Sequence, residues 1–152
     1  MVKKISMLRL FLLPLMVAFT VLLSGCQEAD IEPAELTEAQ NKALQLRVEE
    51  RWQARIAHDW GKAWEYSSPA YREVFPKHLY VKKFSYTADW ELTGIEVTHY
   101  DPSAAVASVA VGVMSRPTKQ TTAAAKAIGP MQRSIGEKWL LIDGEWWFGS
   151  SY

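Results

Sequence analysis

The stretch Glu137–Phe148, EKWLLIDGEWWF, carries the clearest fold signal in the chain. Apolar residues flank Asp143-Gly144, a pair suited to a two-residue turn because glycine adopts positive φ without strain. With that turn, the predicted cross-strand pairs are Ile142 with Glu145, Leu141 with Trp146, Leu140 with Trp147 and Trp139 with Phe148. Successive pairs face opposite sides of a sheet, so the hairpin is apolar on both faces. One face should cover helices, and the other should meet a ligand, a protein partner or a second copy of the chain; the alternative is that the tryptophans only fill a small core.

Two further strands are predicted upstream of this hairpin. After about Asp89 the apolar residues alternate with a period of two, and the alternation shifts by one position at Gly94, which predicts a β-bulge. The residues that carry this pattern are Trp90, Leu92, Ile95 and Val97. A turn at Asp101-Pro102-Ser103 and a second alternating run, Val109, Val111 and Val113, complete the pair. The polar connection 116–130, rich in Ala and Thr, matches no single pattern.

The first part of the domain is predicted to be helical. Thr37 and Gln40 form a capping-box pattern at the start of a helix. Large apolar residues then recur at every fourth position: Leu44, Val48, Trp52, Ile56, Trp60 and Trp64. Each step of four advances about 40° around a helix axis, so one straight helix would spread them around half its circumference. We therefore predict a break at 58–61 with Asp59 as the cap of a second helix, and a third helix from Ser68-Pro69 that stops before Pro76.

Helices followed by an antiparallel sheet indicate the α+β class. The stretch RWQARIAHDWGKAWEYSSPAYR, at 51–72, together with the terminal hairpin, resembles the nuclear transport factor 2-like superfamily over residues 37–152. The resemblance implies a cystatin-like cone, in which a strongly curved antiparallel sheet wraps around N-terminal helices and often leaves a pocket. Members of that superfamily include isomerases, dehydratases, envelope assembly proteins and domains without known activity, so the resemblance leaves function open.

The segment that precedes this domain is typical of an exported protein. Residues 1–25 begin with the basic MVKKISMLR and continue with an apolar run of 14 residues, Leu10–Leu23. A helix that spans a bilayer takes about 20 residues, so we predict a cleaved signal peptide and no permanent transmembrane helix. Leu23-Ser24-Gly25-Cys26 then resembles the lipobox of bacterial lipoproteins, which implies that a diacylglyceryl group is attached to Cys26 and that the chain is cut before it. The alternative is an unmodified cysteine.

A lipidated cysteine would hold the protein on a membrane. Each methylene of an acyl chain that is buried in the bilayer contributes about 0.8 kcal/mol to membrane binding, and two or three acyl chains anchor a protein stably. Gln27 after the cysteine implies, by the same resemblance, the outer membrane facing the periplasm in a Gram-negative cell; in a Gram-positive cell the anchor would sit in the outer leaflet of the cell membrane. Residues 26–36 are acidic, contain Pro33 and are predicted to be a tether. Cys26 is the sole cysteine, so it has no intrachain disulfide partner.

Charge and residue types exclude several function classes. After Cys26 the chain has 14 basic and 17 acidic residues, a net charge of −3, which argues against nucleic acid as a partner. The three histidines, His58, His78 and His99, are too dispersed to predict a metal site, and no motif predicts a cofactor.

The residues therefore favour a binding function over catalysis. We expect an envelope lipoprotein that binds a small apolar ligand or an envelope protein, or pairs with a second copy through its sheet. The predicted pocket walls are Trp64, Tyr66, Trp90 and Trp139. The alternative is a small-molecule isomerase or dehydratase built from residue types such as Asp59, Asp89, Tyr66 and Tyr71; a third is a structural accessory of an envelope complex. A catalytic pocket should hold a desolvated carboxylate facing a cavity, whereas a binding pocket should show only aromatic walls.

Overall fold

The computed structural model describes residues 35–83, 88–118, 121–123, 127 and 129–151. The predicted signal peptide, Cys26 and most of the tether lie outside the described residues, as does part of the connection 116–130. Within these residues, four helices precede four strands: α1 Glu38–Ile56, α2 Trp60–Glu65, α3 Pro69–Val74, α4 Lys77–Lys83, β1 Ala88–Asp101, β2 Val106–Pro117, β3 Met131–Ile142 and β4 Glu145–Ser151. The strands form one sheet in the order β1-β2-β3-β4, with antiparallel neighbours throughout. The α+β prediction is confirmed.

Helix α1 begins where the capping box predicts it. Thr37 Oγ1 accepts a hydrogen bond from Gln40 N at 3.2 Å, and Gln40 Oε1 accepts one from Thr37 N at 3.0 Å. Two backbone N–H groups at the helix start, where intrahelical acceptors are lacking, are thereby satisfied.

The predicted break between the first two helices is also confirmed. His58 adopts a left-handed φ of 58°. Its N–H donates to Arg55 O at 3.1 Å, and the N–H of Asp59 donates to Ala54 O at 2.9 Å, which is the bonding of a Schellman motif. Asp59 Oδ1 then accepts from Lys62 N at 2.8 Å and caps α2.

The connection between α2 and α3 covers the free edge of β4. Ser68 caps α3 by accepting from Tyr71 N at 3.4 Å, as its position before Pro69 predicts. The backbone of Phe148 in β4 donates to Tyr66 O at 2.7 Å and accepts from Ser68 N at 3.0 Å. The edge strand is therefore partly paired, which reduces its capacity to join another sheet.

The strand pairing follows the predicted register. The ladder between β1 and β2 shifts between Leu92 and Gly94, the predicted bulge, and shifts again between Val97 and His99. In the hairpin all four predicted pairs form, and the turn residues Asp143 and Gly144 have φ of 52° and 81°. The long strands thus place their side chains as the alternation of the sequence requires.

One face of the sheet packs against α1 to form the core. Its buried residues come from α1, from the residue after α2, from alternate positions of β2 and from the hairpin: Leu44, Val48, Trp52, Tyr66, Ala107, Val109, Val111, Val113, Trp139 and Trp146. Leu141 and Phe148 lie on the same face of the hairpin and pack against this cluster.

The other side of the hairpin is partly covered by arginines. Trp147 is half-buried. The guanidinium carbons of Arg47 and Arg72 lie 5.0 and 4.7 Å from its ring centre, and Arg47 also lies 4.8 Å from the ring centre of Tyr66. These distances fit cation–π contacts, so side chains of the same chain shield an apolar residue outside the main core.

Candidate functional site

A buried ion pair joins α1 to β3. The side chains of Arg51 and Glu137 are 4% and 0% exposed, and Arg51 Nη1 lies 2.7 Å from Glu137 Oε1. Glu137 also accepts hydrogen bonds from Trp52 Nε1 at 3.1 Å and from Trp139 Nε1 at 2.9 Å. Buried charges persist only when they are paired and hydrogen-bonded, and this carboxylate has three donors within hydrogen-bonding distance.

A second arginine shares the same carboxylate. Arg55 lies one turn after Arg51 on α1, and its Nη1 is 3.7 Å from Glu137 Oε1. Its guanidinium carbon lies 4.0 Å from the ring centre of Trp52. Burial, followed by the charge of Arg51, lowers the pKa of Arg55 to about 10. Two cations therefore face one carboxylate in a region that excludes most water.

A cavity of about 320 Å³ opens beside these arginines. Residues of α1, α3, α4 and β4 and of the α2–α3 connection line it: Arg51, Arg55, Ser67, Tyr71, Tyr80, Lys83, Phe148, Gly149 and Ser151. The guanidinium carbon of Arg51 lies 3.4 Å from the ring centre of Phe148, and the rings of Tyr71 and Tyr80 meet edge to face at 6.4 Å. The cavity thus combines cationic groups with aromatic walls.

Two of the four predicted pocket residues pack into or beside the core. Trp139 is fully buried and its Nε1 donates to Glu137, so it supports the ion pair from behind. Trp90 is half-buried and meets the ring of Trp52 edge to face at 6.0 Å. Neither is among the residues that line the cavity described above.

The other two predicted residues lie around α2. Tyr66 is 6% exposed, and its hydroxyl donates to Glu50 Oε2 at 3.2 Å. Burial, and then the charge of Glu50, raise the pKa of Tyr66. Trp64 Nε1 donates to Phe75 O at 2.9 Å. Neither of these two is among the residues that line the cavity, so a role for any of the four as a ligand wall remains a prediction.

The residues weighed for catalysis are divided by the fold. Asp59 caps α2 and is exposed, and Asp89 lies at the surface with its carboxylate 3.9 Å from His58 Nε2. Tyr71 does line the cavity, and burial followed by the influence of Tyr80 raises its pKa. The two aspartates considered as bases are therefore not beside this tyrosine in the cavity.

Sequence reasoning missed the residues that give the cavity its charge. Arg51 and Arg55 are four apart on α1 and flank Trp52, which lies on the buried face of the helix. Glu137 precedes Trp139 by two positions in β3 and therefore points to the same face of the sheet. A carboxylate on the core-facing side of a strand has to be paired with a cation when it is buried. The position of Glu137 on the same side as Trp139 was therefore the signal available in the sequence.

The described residues hold no group of three or more His, Cys, Asp or Glu side chains that could bind a metal ion. His78 and His99 are exposed. Among the same residues, no helix combines the length and apolar character needed to cross a bilayer.

Comparison with known proteins places the chain in no family. No family model matches it, and neither does any curated protein. A similar solved structure is the solution structure of a SEC-C motif containing protein from Rhodopseudomonas palustris, which is 13% identical with a TM-score of 0.45. The match covers 70% of this chain and 74% of that chain. A similarity at this level transfers neither a family nor an activity.

Proposed function

We propose that the chain is a lipid-anchored envelope protein whose domain, residues 37–152, binds a small molecule in the cavity beside Arg51 and does not catalyse a reaction on it. The observation that carries the proposal is the cavity itself. Its volume of about 320 Å³ falls within the range of about 300–1,000 Å³ usual for ligand pockets, and aromatic side chains form part of its wall.

The residues that line the cavity supply recognition groups, and they do not include the carboxylate base of the isomerase alternative. Among those that the structure describes there, none carries a carboxylate, an imidazole or a thiol. The nearest buried carboxylate, Glu137, is engaged by Arg51 and two indole N–H groups. A catalytic base must be within reach of the proton that it abstracts and must be free to accept it. This supports binding over the isomerase or dehydratase alternative.

The anchor and the fold family belong to the same proposal. The apolar run Leu10–Leu23 and the lipobox-like residues before Cys26 support export and lipidation, with the domain facing the periplasm from the outer membrane. The order of helices before an antiparallel sheet is compatible with the nuclear transport factor 2-like cone, which remains part of the proposal.

The test is to recover small molecules bound to the full chain. The chain is purified in phosphatidylcholine nanodiscs, incubated with a bacterial metabolite extract and washed, and the retained molecules are identified by mass spectrometry. Ser67→Leu places an apolar side chain into the cavity, whereas the matched change Ser134→Leu lies on an exposed position of β3. We expect retained molecules that Ser67→Leu loses and Ser134→Leu keeps.

Two outcomes would contradict this proposal. Equal retention by Ser67→Leu and the unchanged chain would place binding outside the cavity. Conversion of a retained molecule into a product, abolished by Glu137→Gln in a variant that is still folded, would support the enzyme alternative.

A further inference from the structure

Among the residues that the structure describes, the charges around the cavity do not balance. Arg51, Arg55 and Lys83 line it, whereas the carboxylate that contacts both arginines is the single group Glu137. That carboxylate does not line the cavity, so the charged side chains among the described lining residues are all cationic. A negative group placed there would meet guanidinium groups in a region of low dielectric, where charge-assisted hydrogen bonds are strong.

Two buried polar atoms at the cavity have no partner within the described part of the chain. Arg51 Nε and Ser67 Oγ are both buried without a hydrogen bond there, on residues that are 3% and 2% exposed. Buried donors in folded proteins nearly always form a hydrogen bond, because a buried donor without an acceptor is costly in free energy. Both residues line the cavity, so an acceptor bound in it could satisfy both donors.

The remaining wall suits an apolar body attached to that acceptor. Phe148 lies under the guanidinium of Arg51, and Tyr71 and Tyr80 meet edge to face on the α3–α4 side. Aromatic walls favour a flat or short aliphatic group, and a volume of about 320 Å³ restricts its size to the lower end of ligand pockets. The planar fork of a guanidinium matches the two oxygens of a carboxylate better than it matches a single acceptor atom.

We infer that the cavity binds a small organic carboxylate, with its two oxygens toward Arg51, Arg55 and Ser67 and its apolar body toward the aromatic wall. This inference rests on the proposed binding function and names the chemical class of the ligand. Arg51 is held in place by Glu137, whereas Arg55, at 3.7 Å from that carboxylate, has more capacity for an additional anion.

The test compares two probes that differ in charge and hardly in shape. Benzoate and its uncharged analogue benzamide are titrated into the full chain in phosphatidylcholine nanodiscs, and binding is measured by calorimetry. We expect benzoate to bind about tenfold tighter than benzamide or more, because only benzoate forms charge-assisted hydrogen bonds.

Variants then assign the preference to the cavity. Arg55→Met should remove the preference for benzoate over benzamide, and Arg55→Lys should keep part of that preference because the charge remains. Ser67→Ala should weaken benzoate about threefold through one lost hydrogen bond. Arg133→Met, the same change at an exposed position of β3, is the control and should alter neither affinity. Near-ultraviolet circular dichroism verifies that each variant is folded.

The outcomes separate the inference from the proposed function. Equal affinities for benzoate and benzamide, both unaffected by Arg55→Met and both lost in Ser67→Leu, would overturn the carboxylate inference and leave small-molecule binding in place. Failure of both probes to bind, together with the absence of any retained molecule from the metabolite extract, would overturn both.

Discussion

Replacing Glu137 by glutamine tests whether the buried ion pair holds α1 against the sheet. The substitution keeps the shape of the side chain and removes its charge. Oε1 could still accept from Arg51 and Trp52, but the new amide nitrogen would face the indole N–H of Trp139, which now lies 2.9 Å from Oε2. Two donors would then point at each other in a site with no exposure.

The expected cost follows from the loss of a buried partner. Arg51 would remain buried without a carboxylate, and Arg55 would lose the same neighbour. Breaking a buried pair by removing one charge costs about 3–5 kcal/mol. Since domains of this size are stable by about 5–15 kcal/mol, the thermal midpoint should fall by about 10–25 °C.

The assay is urea and thermal unfolding followed by near-ultraviolet circular dichroism, with Glu145→Gln as the matched control. Glu145 is an exposed carboxylate at the start of β4, and its replacement should alter the free energy of unfolding by no more than about 0.5 kcal/mol. In the Glu137→Gln background, Arg51→Met should cost less than it does alone, by about 1–3 kcal/mol. A loss below about 1 kcal/mol for Glu137→Gln would refute the view that this pair is essential to the fold.

Three further predictions concern the anchor, the hairpin turn and Arg55. Cys26→Ala should abolish incorporation of labelled palmitate and lipoprotein processing, and label that persists in this variant would remove the lipoprotein proposal. Gly144→Val should lower the free energy of unfolding in urea by about 1–3 kcal/mol. The φ of this glycine is 81° and an added Cβ would meet no other atom, so the cost is backbone strain. Gly94→Val is the control, because Gly94 has equal space without positive φ, and equal costs for the two changes would contradict the explanation. Benzoate affinity should be constant from about pH 7 to about pH 9 and fall above about pH 10. Burial and the charge of Arg51 lower the pKa of Arg55 to about 10, so the bound anion loses a cationic partner as pH rises through that value; calorimetric titrations across this range that show no decline would exclude Arg55 as that partner.

The parts of the fold that sequence predicted correctly are those decided by neighbouring residues. The capping box at Thr37, the cap at Asp59 and the turn at Asp143-Gly144 each depend on groups within three positions of one another. The hairpin register follows from the turn and the alternation of side chains, so it could be derived without knowledge of the rest of the chain.

The site could not be derived in the same way, because its groups are distant in sequence. Arg51 and Glu137 are separated by 86 positions, and each by itself resembles an ordinary charged surface residue. Only the packing of α1 on β3 brings them together and buries them. The sequence instead predicted aromatic pocket walls. Large aromatic side chains, however, stabilise a fold most when they are fully buried, and Trp139 lies in the core.

The arginines explain how β4 can be apolar on both faces. Trp147 and Phe148 are consecutive and therefore point to opposite sides of the strand. Each has a guanidinium against its ring: Arg47 and Arg72 at Trp147, and Arg51 at Phe148. Arginine can stack on an aromatic ring while its N–H groups still donate to other acceptors, so it covers apolar surface without a second protein. The same property makes the Phe148 side suitable for a ligand, because the cation that covers the ring still has an unpartnered donor, Nε, at the cavity.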